Sequence, residues 1–335
     1  MAAIIEVQDL RLTYPGGVEA VRGITFEVAE GEIFGFLGPN GAGKSTTIMM
    51  LTTLLRPTGG TLRVAGIDPT VDPFAVRSQI GYVSQDLAVD DALTGRENLW
   101  LQGAFYHLSE AENRRRSQEL LELVGLADRA DDRVETYSGG MRKRLDIACG
   151  LMHRPRLLFL DEPTLGLDIQ TRRQIWAYLE QMKRAFGMTL FLTTHYMEEA
   201  DALCDRVAII DRGEIRAIGR PAELKAAIGG DVVSLKLDGA EAEQKARAVL
   251  EGLEPVRSVQ ALAGGLQVVV ADGDGALPAI IQALGREGVV PQAITVKKPT
   301  LDDVYLAYTG KELRSESGSR EEGMAARMRM GRIRR

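Results

Sequence analysis

Glu32-Ile-Phe-Gly-Phe-Leu-Gly38-Pro39-Asn40-Gly41-Ala42-Gly43-Lys44-Ser45-Thr46-Thr47 is the stretch that decides the fold. Its first half is a short apolar run, the pattern of a strand buried on both faces of a parallel sheet. Its second half fits G-x-x-x-x-G-K-[ST], and residues 44–55 read as the helix that follows, closed by Arg56-Pro57 because the residue before proline is pushed out of the helical region. Glycines in such a turn let backbone N–H groups curl around phosphate oxygens, and the helix N-terminus adds partial positive charge. Lys44 can then reach the β- and γ-phosphates, and the Ser45 hydroxyl can join a Mg²⁺ shell. The loop therefore specifies a nucleoside triphosphate site, without separating ATPases from GTPases or kinases.

Outward from this loop the chain reads as an α/β unit to about residue 220. Residues 4–10 and 24–28 are expected strands, and residues 94–130 read as consecutive helices with no strand between them. Within them Arg114, Arg115 and Arg116 form a charge run, expected on a solvated helix face. Leu157-Leu-Phe-Leu160-Asp161-Glu162 is an apolar strand delivering two carboxylates to the sheet edge where ligands bind. Asp161 is placed to hold Mg²⁺, mostly through water, and Glu162 to orient and deprotonate an attacking water. In isolation, two solvated acids at a strand end would be the better reading.

They are not isolated. Upstream stand Gly81-Tyr-Val-Ser-Gln85 and Tyr137-Ser138-Gly139-Gly140-Met141; downstream stand Gly166-Leu-Asp168 and Thr193-Thr-His195. With these motifs in this order, residues 4 to about 225 resemble the ATP-binding-cassette (ABC) family, whose signature is LSGGQ. The resemblance implies a P-loop NTPase fold with a helical subdomain at about residues 90–150, and ATP with Mg²⁺ as ligands. It also implies that Ser138, Gly139 and Gly140 of one protomer contact the γ-phosphate held by residues 38–46 of a second, so that ATP joins a homodimer. Gln85 would touch Mg²⁺ or the attacking water, His195 would bond the γ-phosphate and steady Glu162, and Asp168 would lie at the dimer seam. Tyr14 would stack on adenine, with a packing role as the alternative. Tyr137 and Met141 depart from the Leu and Gln of the family signature, which leaves the Ser-Gly-Gly core intact.

After Gly229-Gly230 a second unit begins. Strands at 231–237, 258–262, 266–271 and 293–296 and helices at 240–250 and 276–286 give the order βαββαβ, expected to form a small ferredoxin-like α+β domain. The expected domains are thus a cassette at 1–228, an accessory domain at 229–310 that nucleotide binding does not need, and a disordered basic tail at 311–335, where 8 basic residues outnumber 4 acidic ones.

Composition narrows the function classes. A net charge of −6 argues against general nucleic-acid binding. Two cysteines, Cys149 and Cys204, are too few for a disulfide framework, fit a reducing compartment, and read as core thiols. No stretch reaches the ~18 apolar residues of a membrane span, and the N-terminus lacks a secretion signal. The forms Tyr137-Ser-Gly-Gly-Met-Arg-Lys-Arg-Leu-Asp-Ile-Ala148, Leu93-Thr-Gly-Arg-Glu-Asn98 and Pro299-Thr-Leu-Asp-Asp-Val-Tyr305 resemble the ATPase subunits of daunorubicin-resistance-type exporters. That resemblance implies a separate transmembrane permease and a peripheral position on the cytoplasmic face of the membrane, with only indirect membrane contact. Trp100, Phe105 and Tyr106 are candidates to face the permease, with core packing expected for at least two of them; Trp176 is expected in the core. The alternative is a soluble ABC protein of repair or translation or a mechanical regulator; the single cassette and the lack of C-x-x-C argue against repair and translation.

Overall fold

The computed structural model describes residues 2–262 and 264–310 of the chain. Its first part comprises β1 (Ala3–Tyr14), β2 (Val18–Ala29), β3 (Ile33–Leu37), α1 (Lys44–Leu51), β4 (Gly59–Val64), α2 (Pro73–Gln79) and β5 (Ile80–Val83). Three helices follow without an intervening strand: α3 (Gly95–Phe105), α4 (Glu110–Leu123) and α5 (Gly139–Cys149). Alternation resumes with β6 (Leu157–Asp161), α6 (Ile169–Phe186), β7 (Thr189–Thr194), α7 (Met197–Leu203), β8 (Arg206–Asp211), β9 (Glu214–Gly219) and α8 (Pro221–Ala227).

A six-stranded sheet of order β5-β6-β7-β3-β8-β9 forms the centre, parallel except for the β8–β9 pair. Every residue of β3, β6 and β7 is buried, as the apolar runs require for strands covered on both faces. Side chains alternate between two cores. Ile33 and Leu37 of β3, Leu158 and Leu160 of β6, and Leu190 and Leu192 of β7 face the helices. Phe34, Phe36, Phe159 and Phe191 face an antiparallel sheet of order β2-β1-β4, where Phe26 joins their rings and α1 is packed beside them.

Beyond α8, the second part contains β10 (Asp231–Lys236), α9 (Ala240–Glu251), β11 (Val256–Leu262), β12 (Gly265–Val270), α10 (Gly273–Arg286), β13 (Ala293–Lys297) and α11 (Leu301–Thr309). The first six elements run βαββαβ, and their strands form an antiparallel sheet of order β11-β12-β10-β13 with its own apolar core. The last helix does something the sequence reading did not foresee. α11 joins the two parts: Asp303 is held by Gln267 of β12 and Lys297 of β13, while the helix packs on α7, α8 and β9 and buries Leu301, Val304 and Tyr305 in the main core of the cassette.

Three expectations need correction, and a fourth falls outside the described residues. α1 ends at Leu51, because Thr53 takes a left-handed φ of 66° and the N–H groups of Leu54 and Leu55 turn back onto the Met49 carbonyl. Arg116 is not on a solvated face: it is buried, donating to the Leu151 carbonyl, paired with Glu119 and lying over the Phe186 ring. Trp100, Phe105 and Tyr106 are all exposed, at 51, 68 and 36 %, so core packing does not hold for any two of them. Residues 311–335, including the basic tail, lie outside the described residues. Cys204 and Trp176 do pack against the main core, and Cys149 lies partly buried beside it.

Candidate functional site: a nucleotide cleft at the carboxyl edge of the sheet

Parallel register carries four motifs to one edge. Leu37 pairs with Thr194, Asp161 with Thr193, and Val83 with Leu160, so the phosphate loop, the Asp161-Glu162 pair, His195 and the Gln85 segment all leave the sheet on the same side. The loop itself closes against β8. A Cβ on Gly38 would stand 2.2 Å from the Ile210 carbonyl, and Gly43 has φ 106°, a conformation that excludes side chains at both positions. The next residue opens α1, which points its free N–H groups into the loop.

Within this loop Lys44 is buried and donates to the carbonyls of Gly38 (2.8 Å) and Pro39 (3.1 Å). Its Nζ also lies 3.0 Å from Glu162 Oε1. The other oxygen of Glu162 meets His195 Nδ1 at 2.5 Å. Glu162 has φ 51°, sparsely populated for a glutamate, and its N–H is held by the Thr193 carbonyl (3.2 Å) and hydroxyl (3.0 Å). Burial is the largest influence on this carboxyl and raises its pKa, but the bonds from His195 and Lys44 outweigh it and leave it below the usual value. Glu162 is therefore an ionised, rigidly held acceptor next to the buried amine of Lys44.

Asp161 is set differently. Its Oδ1 accepts from the Thr193 hydroxyl at 2.6 Å and the Ser45 hydroxyl at 3.1 Å, while burial pushes its pKa up. A hydroxyl and a carboxylate oxygen this close are two hard-oxygen donors, to which substrate phosphate and water can add the others; that suits Mg²⁺. Among the described residues no group of three or more His, Cys, Asp or Glu could hold a metal by itself.

The remaining candidates are placed as follows. Tyr14 packs against the aromatic core and its hydroxyl meets Thr46 Oγ1 at 3.2 Å, beside the loop. Pro39 and Asn40 line the loop's rim and Ala42 is buried beneath it. Gln85 is exposed on the segment after β5. Ser138 is exposed as the N-cap of α5, accepting from the Met141 N–H, and a Cβ on Gly140 would stand 2.4 Å from Thr171. Asp168 caps α6, accepting from the Thr171 N–H and hydroxyl, and Leu165 and Ile169 around it are exposed. Among the described residues no hydrogen bond joins Ser138, Gly139 or Gly140 to the loop of the same chain. Tyr137 replaces a leucine with a buried ring that donates to the Arg129 carbonyl, and Met141 packs against the main core.

Two polar groups escaped the sequence reading. Thr193 orients both acidic residues, and Glu199, fully buried, accepts from Thr164 and Trp176, tying the segment after Glu162 to the helix after His195. Thr193 adjoins a recognised motif, but nothing in a lone Glu-Glu pair on a short helix marks one of them as buried.

The comparisons with known proteins agree with this geometry. The ABC transporter family matches residues 21–165, and the C-terminal domain described as ATP-binding protein DrrA1-3-like matches residues 219–309. The daunorubicin/doxorubicin resistance ATP-binding protein DrrA of Streptomyces peucetius is 42% identical over 327 residues, covering 96% of this chain and 98% of that one. The linearmycin resistance ATP-binding protein LnrL of Bacillus subtilis is 38% identical over 313 residues, covering 93% and 100%. Among solved structures, cbiO1 of Clostridium perfringens, part of the ABC transporter complex cbiONQ, superposes with TM-score 0.64 at 29% identity over 68% of this chain and 92% of that one. A dimeric post-hydrolysis state of the cassette MJ0796 with ADP and Pi superposes with TM-score 0.58 at 28% identity, over 64% and 98%. A cleft in which lysine, glutamate and histidine converge beside an aspartate–serine pair, on a chain alike end to end with such proteins, leaves one assignment: this is an ATP-hydrolysing, ATP-binding protein of the ABC transporter family.

Proposed function

We propose that two copies of this chain power a separate transmembrane permease that exports a drug-like or antibiotic compound, each copy completing the other's ATP site. The observation that carries this reading is the separation of the two half-sites. Lys44, Glu162 and His195 form one cluster, while Ser138, Gly139 and Gly140 stand at the start of α5 without a bond to it. Those N–H groups and the cap hydroxyl suit a γ-phosphate supplied from a partner. Asp168, Leu165 and Ile169 are exposed where such a partner would sit.

The chemistry follows from the contacts. ATP phosphates draw Lys44 Nζ away from Glu162 Oε1, because the phosphate oxygens carry more charge than one carboxylate. Glu162 is then free to take a proton from the attacking water, with His195 holding its second oxygen in place. Ser45, Gln85 and Asp161 would hold Mg²⁺, which neutralises charge on the β- and γ-oxygens. The export direction comes from the resistance proteins named above. Exposed Leu87, Trp100, Leu101 and Phe105 offer an apolar surface for the permease. Among the described residues no helix is long and apolar enough to cross a membrane, which fits a peripheral place at the cytoplasmic face.

Replacing Glu162 with Gln tests the reading. The variant should bind ATP with unchanged affinity, lose ~10² to 10⁴-fold in turnover, and form a stable dimer in ATP. Size measurement in saturating ATP decides it, since a monomer with nucleotide bound would sink the composite site.

A further inference from the structure

Lys143 and Asp146 are only 5 and 3% exposed, and neither belongs to the nucleotide cleft. They lie on α5, the helix that begins with Gly139-Gly140. Their charged ends are 3.4 Å apart. Each also grips the segment around Gln85, at opposite ends. Lys143 Nζ donates to the Ser84 carbonyl at 2.9 Å, and Asp146 Oδ1 accepts from the Ala88 N–H at 3.2 Å. The segment closes on itself between these points, the Ser84 hydroxyl donating to the Asp86 carbonyl at 2.6 Å. Arg142, the neighbouring residue, holds the carbonyls of Val134 and Glu135 on the chain running into Ser138. Neighbouring residues of one helix therefore hold the Gln85 segment and the chain that leads into the signature, and Lys143 is about 7.5 Å along the helix axis from Ser138 at 1.5 Å per residue.

A buried ion pair contributes little to stability over apolar residues of the same volume, so its use is better sought in specifying an arrangement. We propose that the Lys143–Asp146 pair is a positioning element that locks the Ser138-Gly139-Gly140 signature to the Gln85 segment, so that nucleotide in a chain's own cleft sets the signature this chain presents to its partner. The inference rests on the two-copy reading given above. Gln85 borders the ATP held by its own chain, while the signature serves the other ATP. The pair is the physical link between the two, and it acts through backbone groups at both ends of the segment, which move together with the helix.

The test uses the full chain carrying Glu162→Gln, with Mg-ATP as the ligand. Adding Lys143→Met and Asp146→Leu removes both charges and preserves volume, so the fold should survive. Nucleotide affinity of the dilute monomer, read with a fluorescent ATP analogue, should stay within about twofold, while the ATP-driven dimer, read by sedimentation, should weaken ~10-fold or more. Lys143→Arg alone keeps the cation and should leave the dimer as strong as in the parent. Leu145→Ala, which loosens the same helix from the core without touching the Gln85 segment, should leave the dimer midpoint unchanged. An unweakened dimer in the double variant overturns the proposal, as does equal weakening by Leu145→Ala. If the Glu162→Gln parent itself stays monomeric in ATP, the two-copy reading falls and takes this inference with it.

Discussion

At the scale of single residues, Glu162 shows how a motif acquires its chemistry. Its identity was legible from two acids ending an apolar strand. The N–H bonds that fix its left-handed backbone, its bond to His195 and its pairing with Lys44 come from two other strands, β3 and β7, and the turns after them, which only the sheet brings together. Because its pKa is depressed in the folded chain, its ionisation adds stability above the usual value of 4.5, and that gain is lost as pH falls through the depressed value. Asp146, Asp161 and Glu199 are shifted upward and work in the opposite sense, so total stability mixes both signs. The difference between the parent and Glu162→Gln isolates the one group. Melting curves should show the parent more stable at pH 7 and the gap closing below about pH 4.5. His195 offers a second check at this scale. With His195→Ala, turnover should fall ~10²-fold or more while ATP affinity holds, since the histidine grips Glu162 and not the loop that binds phosphate.

At the scale of elements, the apolar runs located β3 and β6 well, because a strand buried on both faces reads as a near-continuous apolar stretch; β7, with Thr189, Thr193 and Thr194 among its six residues, was not read as a strand. It failed where polar groups are buried or apolar ones exposed. Arg116 reads as surface until Leu151, Glu119 and Phe186 surround it, and core packing was expected for at least two of Trp100, Phe105 and Tyr106, whereas all three are exposed on α3 and just after it. The helix start at Lys44 was clear from its glycines, and its end at Leu51 was not, since Thr53 is an unexpected residue for φ 66°. The phosphate loop gives the sharpest prediction for an element. Gly38→Ala drives a Cβ against the Ile210 carbonyl, so it should cost ~1–3 kcal/mol of unfolding free energy and abolish ATP binding. Denaturant unfolding and nucleotide titration would both register it; unchanged binding would mean the loop can shift off β8.

At the scale of the whole molecule, the accessory domain is tied to the cassette at both ends, by α8 where the chain leaves and by α11 where it returns. Among the described residues, the groups named at the cleft lie at or before Ile210 of β8, and nucleotide binding is expected to survive removal of residues 231–335. Removing them, however, strips Leu301, Val304 and Tyr305 from the main core. A chain ended at residue 230 should therefore melt lower than one ended at residue 310. Leu301→Ala in the full chain should lower the cassette's own transition by ~2–5 kcal/mol. Calorimetry resolves the point, because a helix belonging to the accessory domain alone would leave the cassette transition where it was.

By itself, the sequence determined the α/β cassette, the phosphate loop and the candidates for the ATP chemistry, because glycine turns, an apolar strand with terminal acids and fixed motif order are local patterns. The tertiary structure alone decided that Lys44 pairs with Glu162, that Lys143 and Asp146 clasp the Gln85 segment, and that α11 packs into the cassette's core as well as against the accessory sheet. Each of these joins residues far apart in the chain, and pairings of that kind are set by how strands register and helices pack.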